Sequence, residues 1–200
     1  MERNRGFTLV ELMVVIVVAA IGITLAVPSF RDLIERKAVG GAAEAVYEQL
    51  QIARSQAIKR SKPILVDFNI DGTSWAVGIT DKTAGCDAEL TSGNTCTISD
   101  YNNDGIANDQ MLMRVQGIDY KNITMSLETA FASAGTLTGE CVTVAPAGTA
   151  CFDYVRGLAR AGSYVFESAN YKLQVEVTML GNVNICIPTD EKKIVGYDDC

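Results

Sequence analysis

Gly6-Phe7-Thr8-Leu9-Val10-Glu11-Leu12-Met13-Val14-Val15 opens a long apolar run, and its reading decides the rest of the chain. From Phe7 to Phe30 the only ionisable side chain is Glu11, and the short segment before Gly6 carries Arg3 and Arg5. A helix rises about 1.5 Å per residue, so roughly 20 apolar residues cross a bilayer core of about 30 Å. Residues 7–28 are therefore expected to span a membrane. A secretory signal would have a shorter apolar region followed by a small-residue cleavage site. Here the expected cut precedes the apolar run, between Gly6 and Phe7. A carboxylate in a hydrocarbon span costs a few kcal/mol and is usually partnered, which singles out Glu11.

The segment resembles the N-terminus of type IV prepilins: a basic leader (1–6), Gly6, Phe7 as the new first residue, and Glu11 shortly after it. The resemblance implies that a prepilin peptidase cleaves after Gly6 and N-methylates Phe7. It further implies that subunits polymerise through this helix, with Glu11 facing the Phe7 ammonium of a neighbour. Low dielectric strengthens such a pair and penalises an unpaired Glu11, so one stagger between subunits is favoured.

Beyond the span, Phe30, Leu33, Ile34, Ala38, Ala42, Ala45, Val46, Leu50, Ala53 and Ala57 recur at three- and four-residue steps. This is an amphipathic stripe over residues 29–60. Gly22 and Pro28 are the expected bend, because proline removes a backbone hydrogen bond. Gly40-Gly41 interrupts the pattern at about 1 kcal/mol per glycine. The helix is expected to end near Lys59, before Pro63.

After Pro63 the period becomes two. Ile64, Val66, Phe68 and Ile70 alternate with Leu65, Asp67 and Asn69, reading as a half-buried strand. Asp71-Gly72 marks a turn, and Trp75 to Thr80 returns as a hairpin arm. Residues 81–110 are turn-rich and polar. Met111–Val115, Ile123–Leu127, Ser163–Glu167, Tyr171–Met179 and Val183–Ile187 read as further strands. Their apolar face needs a cover, which the helix stripe supplies. The expected fold is α+β: a long N-terminal helix packed on an antiparallel β-sheet head domain (61–200) with disulfides.

All six cysteines follow the apolar run. An even count in a small exported domain reads as disulfides, and six allow about 15 connectivities. Neighbouring pairs, Cys86–Cys96, Cys141–Cys151 and Cys186–Cys200, close short loops. A zinc site would want C-x2-4-C spacing, which is absent. The implied compartment is periplasmic or extracellular.

Gln49-Leu50-Gln51-Ile52-Ala53-Arg54-Ser55-Gln56-Ala57-Ile58-Lys59-Arg60, followed by the Trp75 hairpin, is similar to the GspH/FimT group of minor pilins and pseudopilins. Met111–Val115, Asn184-Ile185-Cys186 and the tail Gly196-Tyr197-Asp198-Asp199-Cys200 fit the same group. The resemblance implies a single-pass inner-membrane protein with a periplasmic C-terminal domain that reaches the surface after assembly. Implied partners are other major and minor pilins or pseudopilins, the prepilin peptidase and the inner-membrane assembly platform. It implies a role in pilus biogenesis and assembly initiation near the filament tip. The alternative is a minor pseudopilin of a type II secretion system.

Other chemistry is thin. The net charge is −7, about −8 without the leader, and an acidic surface repels nucleic acid phosphates. Some FimT-like proteins act in DNA uptake, and the resemblance places a Gly-Arg-x-Arg element near the last strand pair. The matching stretch, Gly181-Asn182-Val183-Asn184, lacks both arginines. Lys192-Lys193 sits among Asp190, Glu191, Asp198 and Asp199, and Arg156 with Arg160 reads as a solvated loop. A DNA-binding minor pilin for natural transformation is thus the disfavoured reading.

With no histidine, a Ser-His or Cys-His nucleophile pair is impossible, and an enzyme is not expected. Asp100-Tyr101-Asn102-Asn103-Asp104-Gly105 matches the start of a calcium loop, with Asp100, Asn102 and Asp104 at ligand positions and Asn108 or Asp109 as substitutes. Met111 occupies the position of the closing glutamate, and a polar turn accounts for the same residues. No cofactor is expected, with Ca2+ as the exception to test.

Overall fold

The computed structural model describes residues 7–71, 74–90, 93–99, 110–112, 114–132, 141 and 148–200, leaving aside the side chains of 25–29, 110–112 and 132. Gly6 and the candidate calcium loop at 100–109 lie outside the described residues.

Helix α1 runs from Leu9 to Arg60, 52 residues, and its assignment is continuous through Gly22, Pro28 and Gly40-Gly41. Thr8 caps it. The Thr8 hydroxyl accepts from Glu11 N at 3.2 Å, and Glu11 Oε2 accepts from Thr8 N at 3.4 Å. This reciprocal pair satisfies two of the first-turn donors. At the other end Ser61 adopts a left-handed conformation (φ 52°) and its N–H returns to the last turn.

The apolar stripe of α1 is buried only in its second half. Val39, Ala42, Ala43, Val46, Leu50, Ala53 and Ala57 are fully buried against the head. Phe30, Leu33 and Ile34, expected on the same stripe, stand 65%, 51% and 59% exposed. Helical period alone does not say where the covering sheet stops. From Leu9 to Ile23 the large apolar side chains are exposed all round. Among the described residues, no helix is long and apolar enough to cross a membrane.

Eleven strands are described: β1 (Ile64–Asp71), β2 (Ser74–Thr80), β3 (Thr97–Ser99), β4 (Gln110–Leu112), β5 (Arg114–Gln116), β6 (Thr124–Ala132), β7 (Ala150–Phe152), β8 (Ala161–Glu167), β9 (Lys172–Val177), β10 (Val183–Ile187) and β11 (Asp198–Asp199). They form one sheet in the order β5-β2-β1-β7, a second in the order β11-β10-β9-β8-β6, and the pair β3-β4. Among the described residues, every pairing between these strands is antiparallel except β10 with β11, which is parallel and departs from the antiparallel expectation. Sheet and helix share one core, with Trp75, Phe152, Phe166, Tyr171, Leu50 and Leu173 among its largest buried side chains. Phe68 stacks on Tyr164 at 4.0 Å between ring centroids, joining the two sheets.

Three strand expectations change. Strand β1 is buried on both faces over Ile64–Asp67 rather than half-buried. Leu65 packs on the Cys141–Cys151 disulfide, covering the face that alternation assigned to water. The Met111–Val115 strand is divided between β4, paired with β3, and β5, paired with β2. The strand beginning near Ile123 continues to Ala132 through register shifts against β8. Burial alternates strictly in β9, where Leu173, Val175 and Val177 are buried and Lys172, Gln174 and Glu176 half-buried.

Candidate functional site: the helix and its seat on the head

The residues singled out in sequence fall in separate regions of the molecule. Phe7 and Glu11 lie at the free end of α1, where Glu11 caps its own helix. Disulfides join Cys86 to Cys96, Cys141 to Cys151 and Cys186 to Cys200. The first two lie over the outer face of the β1-β2 hairpin. A Cβ on Gly78 of β2 would come within 2.3 Å of Cys96 Sγ, so only glycine lets that disulfide sit flat on the strand.

Buried Asp67 joins the two disulfide loops. Its carboxylate accepts from Cys86 N at 2.6 Å and from the Thr149 hydroxyl at 2.7 Å. Burial pushes its pKa up, against the pull of the Thr149 and Cys86 bonds. Alternation placed this residue on a solvated face, so sequence gave no reason to single it out.

The third disulfide closes the tail over α1. The tail delivers Lys192, Ile194 and Tyr197 to the helix. Lys192 Nζ reaches Asp32 Oδ1 at 3.2 Å and stands 4.3 Å from the centroid of the Tyr171 ring. The Tyr171 hydroxyl donates to Asp32 Oδ1 at 2.5 Å and accepts from Arg36 Nε at 2.8 Å. Arg36 also pairs with Asp32 through Nη2. The Asp32 carboxyl is thereby held down to about 2, first by the Tyr171 hydroxyl and then by Lys192 and Arg36, despite some desolvation. Ile194 is buried in the core, and Tyr197 donates to Glu44 Oε1 at 2.6 Å.

Gly40-Gly41 now has a physical reason. A Cβ on Gly40 would stand 3.2 Å from the Tyr197 hydroxyl, and one on Gly41 would stand 3.5 Å from the Tyr120 ring. Two tyrosines of the head approach the helix backbone where the side chains are smallest. The sequence displayed the glycines but not the rings they admit.

Of the basic residues weighed for DNA, Lys192, Lys193 and Arg160 are engaged within the chain, while Arg156 stands exposed. Lys192 holds Asp32, and Lys193 pairs with Asp199 at 2.8 Å. Arg160, expected in a solvated loop, is half-buried and donates to Phe131 O at 2.9 Å. Desolvation lowers its pKa. The Gly181–Asn184 stretch runs from the β9-β10 turn into β10, and Arg54 of α1 donates to Asn182 Oδ1 and Leu180 O, each at 3.3 Å. Among the described residues, no group of three or more Asp, Glu, His or Cys could hold a metal ion.

A long N-terminal helix, bare in its first half and seated in a disulfide-bonded β head in its second, defines a pilin-like protein. The chain belongs to the Type II transport protein GspH family, which it matches over residues 42–181. Residues 1–27 match the prokaryotic N-terminal methylation motif. A fimbrial protein of Pseudomonas aeruginosa is 32% identical over 83 residues, 42% of this chain and 53% of that one. The chain thus spans about half the length of that relative. The type IV narrow pilus major component PilA5 of Thermus thermophilus is 34% identical over 105 residues, 48% of this chain and 88% of that one. Among solved structures, the minor pseudopilin EpsH of Vibrio cholerae covers 78% of this chain and 99% of its own, at 12% identity and TM-score 0.47. The type IV minor pilin FimU of Pseudomonas aeruginosa covers 76% and 91%, at 12% identity and TM-score 0.41.

Proposed function

We propose that the protein is a non-catalytic minor pilin subunit of a type IV pilus, acting in assembly initiation near the filament tip. The observation that carries this reading is the exposed apolar first half of α1, from Leu9 to Ile23, which lies within the methylation motif. So much bare apolar surface needs a lipid or protein cover. In this reading residues 7–28 anchor the chain once in the inner membrane, with the head in the periplasm. On assembly the same surface exchanges lipid for the helices of other pilins, where close packing replaces lipid contacts.

Cleavage between Gly6 and Phe7 by a prepilin peptidase, with methylation of Phe7, would leave an ammonium at the mouth of the helix. Glu11 of a neighbouring subunit would pair with it, exchanging its bond to Thr8 N for an ionic one. The inner-membrane assembly platform completes the list of partners. The second reading is a minor pseudopilin of a type II secretion system, favoured by the family that residues 42–181 match.

The test is the intact mass of the protein from sheared surface filaments and from whole membranes. The pilus reading expects a chain beginning at methylated Phe7 in the sheared fraction, lighter by six hydrogens than its reduced form. Processed protein confined to membranes would favour the pseudopilin reading, and an uncut chain would overturn both.

A further inference from the structure

The C-terminal end of α1, the end remote from Phe7, carries an apolar surface that the fold leaves bare. Ile58, Val155, Met179 and Leu180 are 53%, 59%, 55% and 66% exposed. They come from the helix end, the β7-β8 turn and the β9-β10 turn, and the three segments interlock. Ala159 N donates to Met179 O at 3.1 Å. Gly181 (φ 73°) lies so close to the other turn that a Cβ there would stand 1.9 Å from Gly157 O. A Cβ on Gly157 would stand 3.3 Å from Ile58 Cδ1.

The Val155 turn is held in shape, with Asp153 N donating to Leu158 O at 2.7 Å and Val155 N to Asp153 Oδ1 at 3.2 Å. Apolar side chains on a braced turn form a preorganised contact face, which costs little ordering entropy on binding. Its border is basic in a chain of net charge −7. Arg54 donates to the neutral acceptors Leu180 O and Asn182 Oδ1, so those bonds do not cancel its charge. Lys59 and Arg156, the sequence neighbours of Ile58 and Val155, are exposed.

We infer that this distal patch docks the head of a different pilin-type subunit, one presenting an apolar face bordered by carboxylates. The inference rests on the pilin reading and adds the surface and the chemistry of the partner. Charge complementarity selects the occupant. A symmetric contact with a second copy would oppose Arg54, Lys59 and Arg156 to themselves, a like-charge arrangement. Nucleic acid would match the cations but leave the four apolar side chains without a partner.

The experiment places a photo-crosslinking amino acid at Val155, and separately at Leu12, in the full chain in cells that assemble the filament. The expected Val155 adduct is a peptide of another processed pilin-type chain in which Asp or Glu borders apolar residues. Leu180→Asp should reduce its yield by more than about tenfold, as for a central interface residue. Lys59→Glu with Arg156→Glu should reduce it severalfold, and reversing the partner's carboxylates to lysine should restore it. The mass of the three intact disulfides verifies that each variant has folded. Crosslinks at Leu12 with none at Val155 would overturn the docking surface and leave the pilin reading standing. A Val155 adduct with a second copy, lipid or DNA would also overturn it. Absence of subunit crosslinks at Leu12 would remove the pilin reading, and this proposal with it.

Discussion

The hydroxyl of Tyr197 donates to Glu44 Oε1 at 2.6 Å, tying the last loop of the chain to the middle of a 52-residue helix. Burial and the Glu44 carboxylate both raise the Tyr197 pKa, so the phenol stays a donor at neutral pH. Tyr197→Phe keeps the ring and removes the hydroxyl, and with it both the bond to Glu44 and the approach to Gly40. The expected loss is about 1 kcal/mol of stability, read from urea unfolding. No change would mean that the ring, and not the hydroxyl, seats the tail.

Opening the Cys186–Cys200 bridge should loosen this seat further. Its sequence separation is 14, and a loop of that size is worth about 3 kcal/mol. Cys186→Ser with Cys200→Ser should lower stability by that order and expose backbone amides of the tail to hydrogen exchange. Tail protection equal to the parent's would show that Lys192, Ile194 and Tyr197 hold it unaided.

Asp32 predicts one sign of pH dependence. Its carboxyl sits at about 2 in the folded protein against an ordinary 3.8. The folded value is depressed, so its contribution is present above about 3.8 and is lost as pH falls toward 2. The stability difference between the parent and Asp32→Asn should therefore be constant near neutrality and shrink below pH 4. A difference unchanged down to pH 2 would mean that Tyr171, Lys192 and Arg36 do not favour the ionised form.

Asp67 predicts the opposite sign. Burial raises its pKa above the ordinary 3.8, so its contribution is fully present below that value and is lost as pH rises through the folded one. Relative to Asp67→Asn, the parent should gain stability as the pH is lowered toward 4. A gain on raising the pH instead would show that the bonds from Cys86 N and Thr149 outweigh desolvation.

Gly78→Ala tests the contact between β2 and its disulfide. The new methyl would meet Cys96 Sγ at 2.3 Å in a fully buried setting. The expected cost is about 1–3 kcal/mol, measured by thermal unfolding with the disulfides oxidised. A variant as stable as the parent would mean that the Cys86–Cys96 loop can lift off the strand.

The sequence by itself determined what is local or periodic. The Phe7–Phe30 apolar run and the end of the helix before Pro63 follow from composition and backbone sterics. So does the existence of β1 and β2 around the Asp71-Gly72 turn signal, and of β9 and β10, although among these four burial alternates strictly only in β9. The neighbouring cysteine pairs were legible because short loops close cheaply. Only the tertiary structure decided what depends on residues far apart in the chain. It buried the second face of β1 beneath two disulfides, turning Asp67 from a solvated position into a buried one. It also brought Tyr120 and Tyr197 onto Gly40-Gly41, and Lys192 with Tyr171 onto Asp32. Strands β3, β7 and β11 are two or three residues long, too short for a period to register, and exist because a longer neighbour offers an edge. The bare patch at Ile58, Val155, Met179 and Leu180 appears only when the helix end and two turns meet, since each contributes one or two apolar residues that look unremarkable alone.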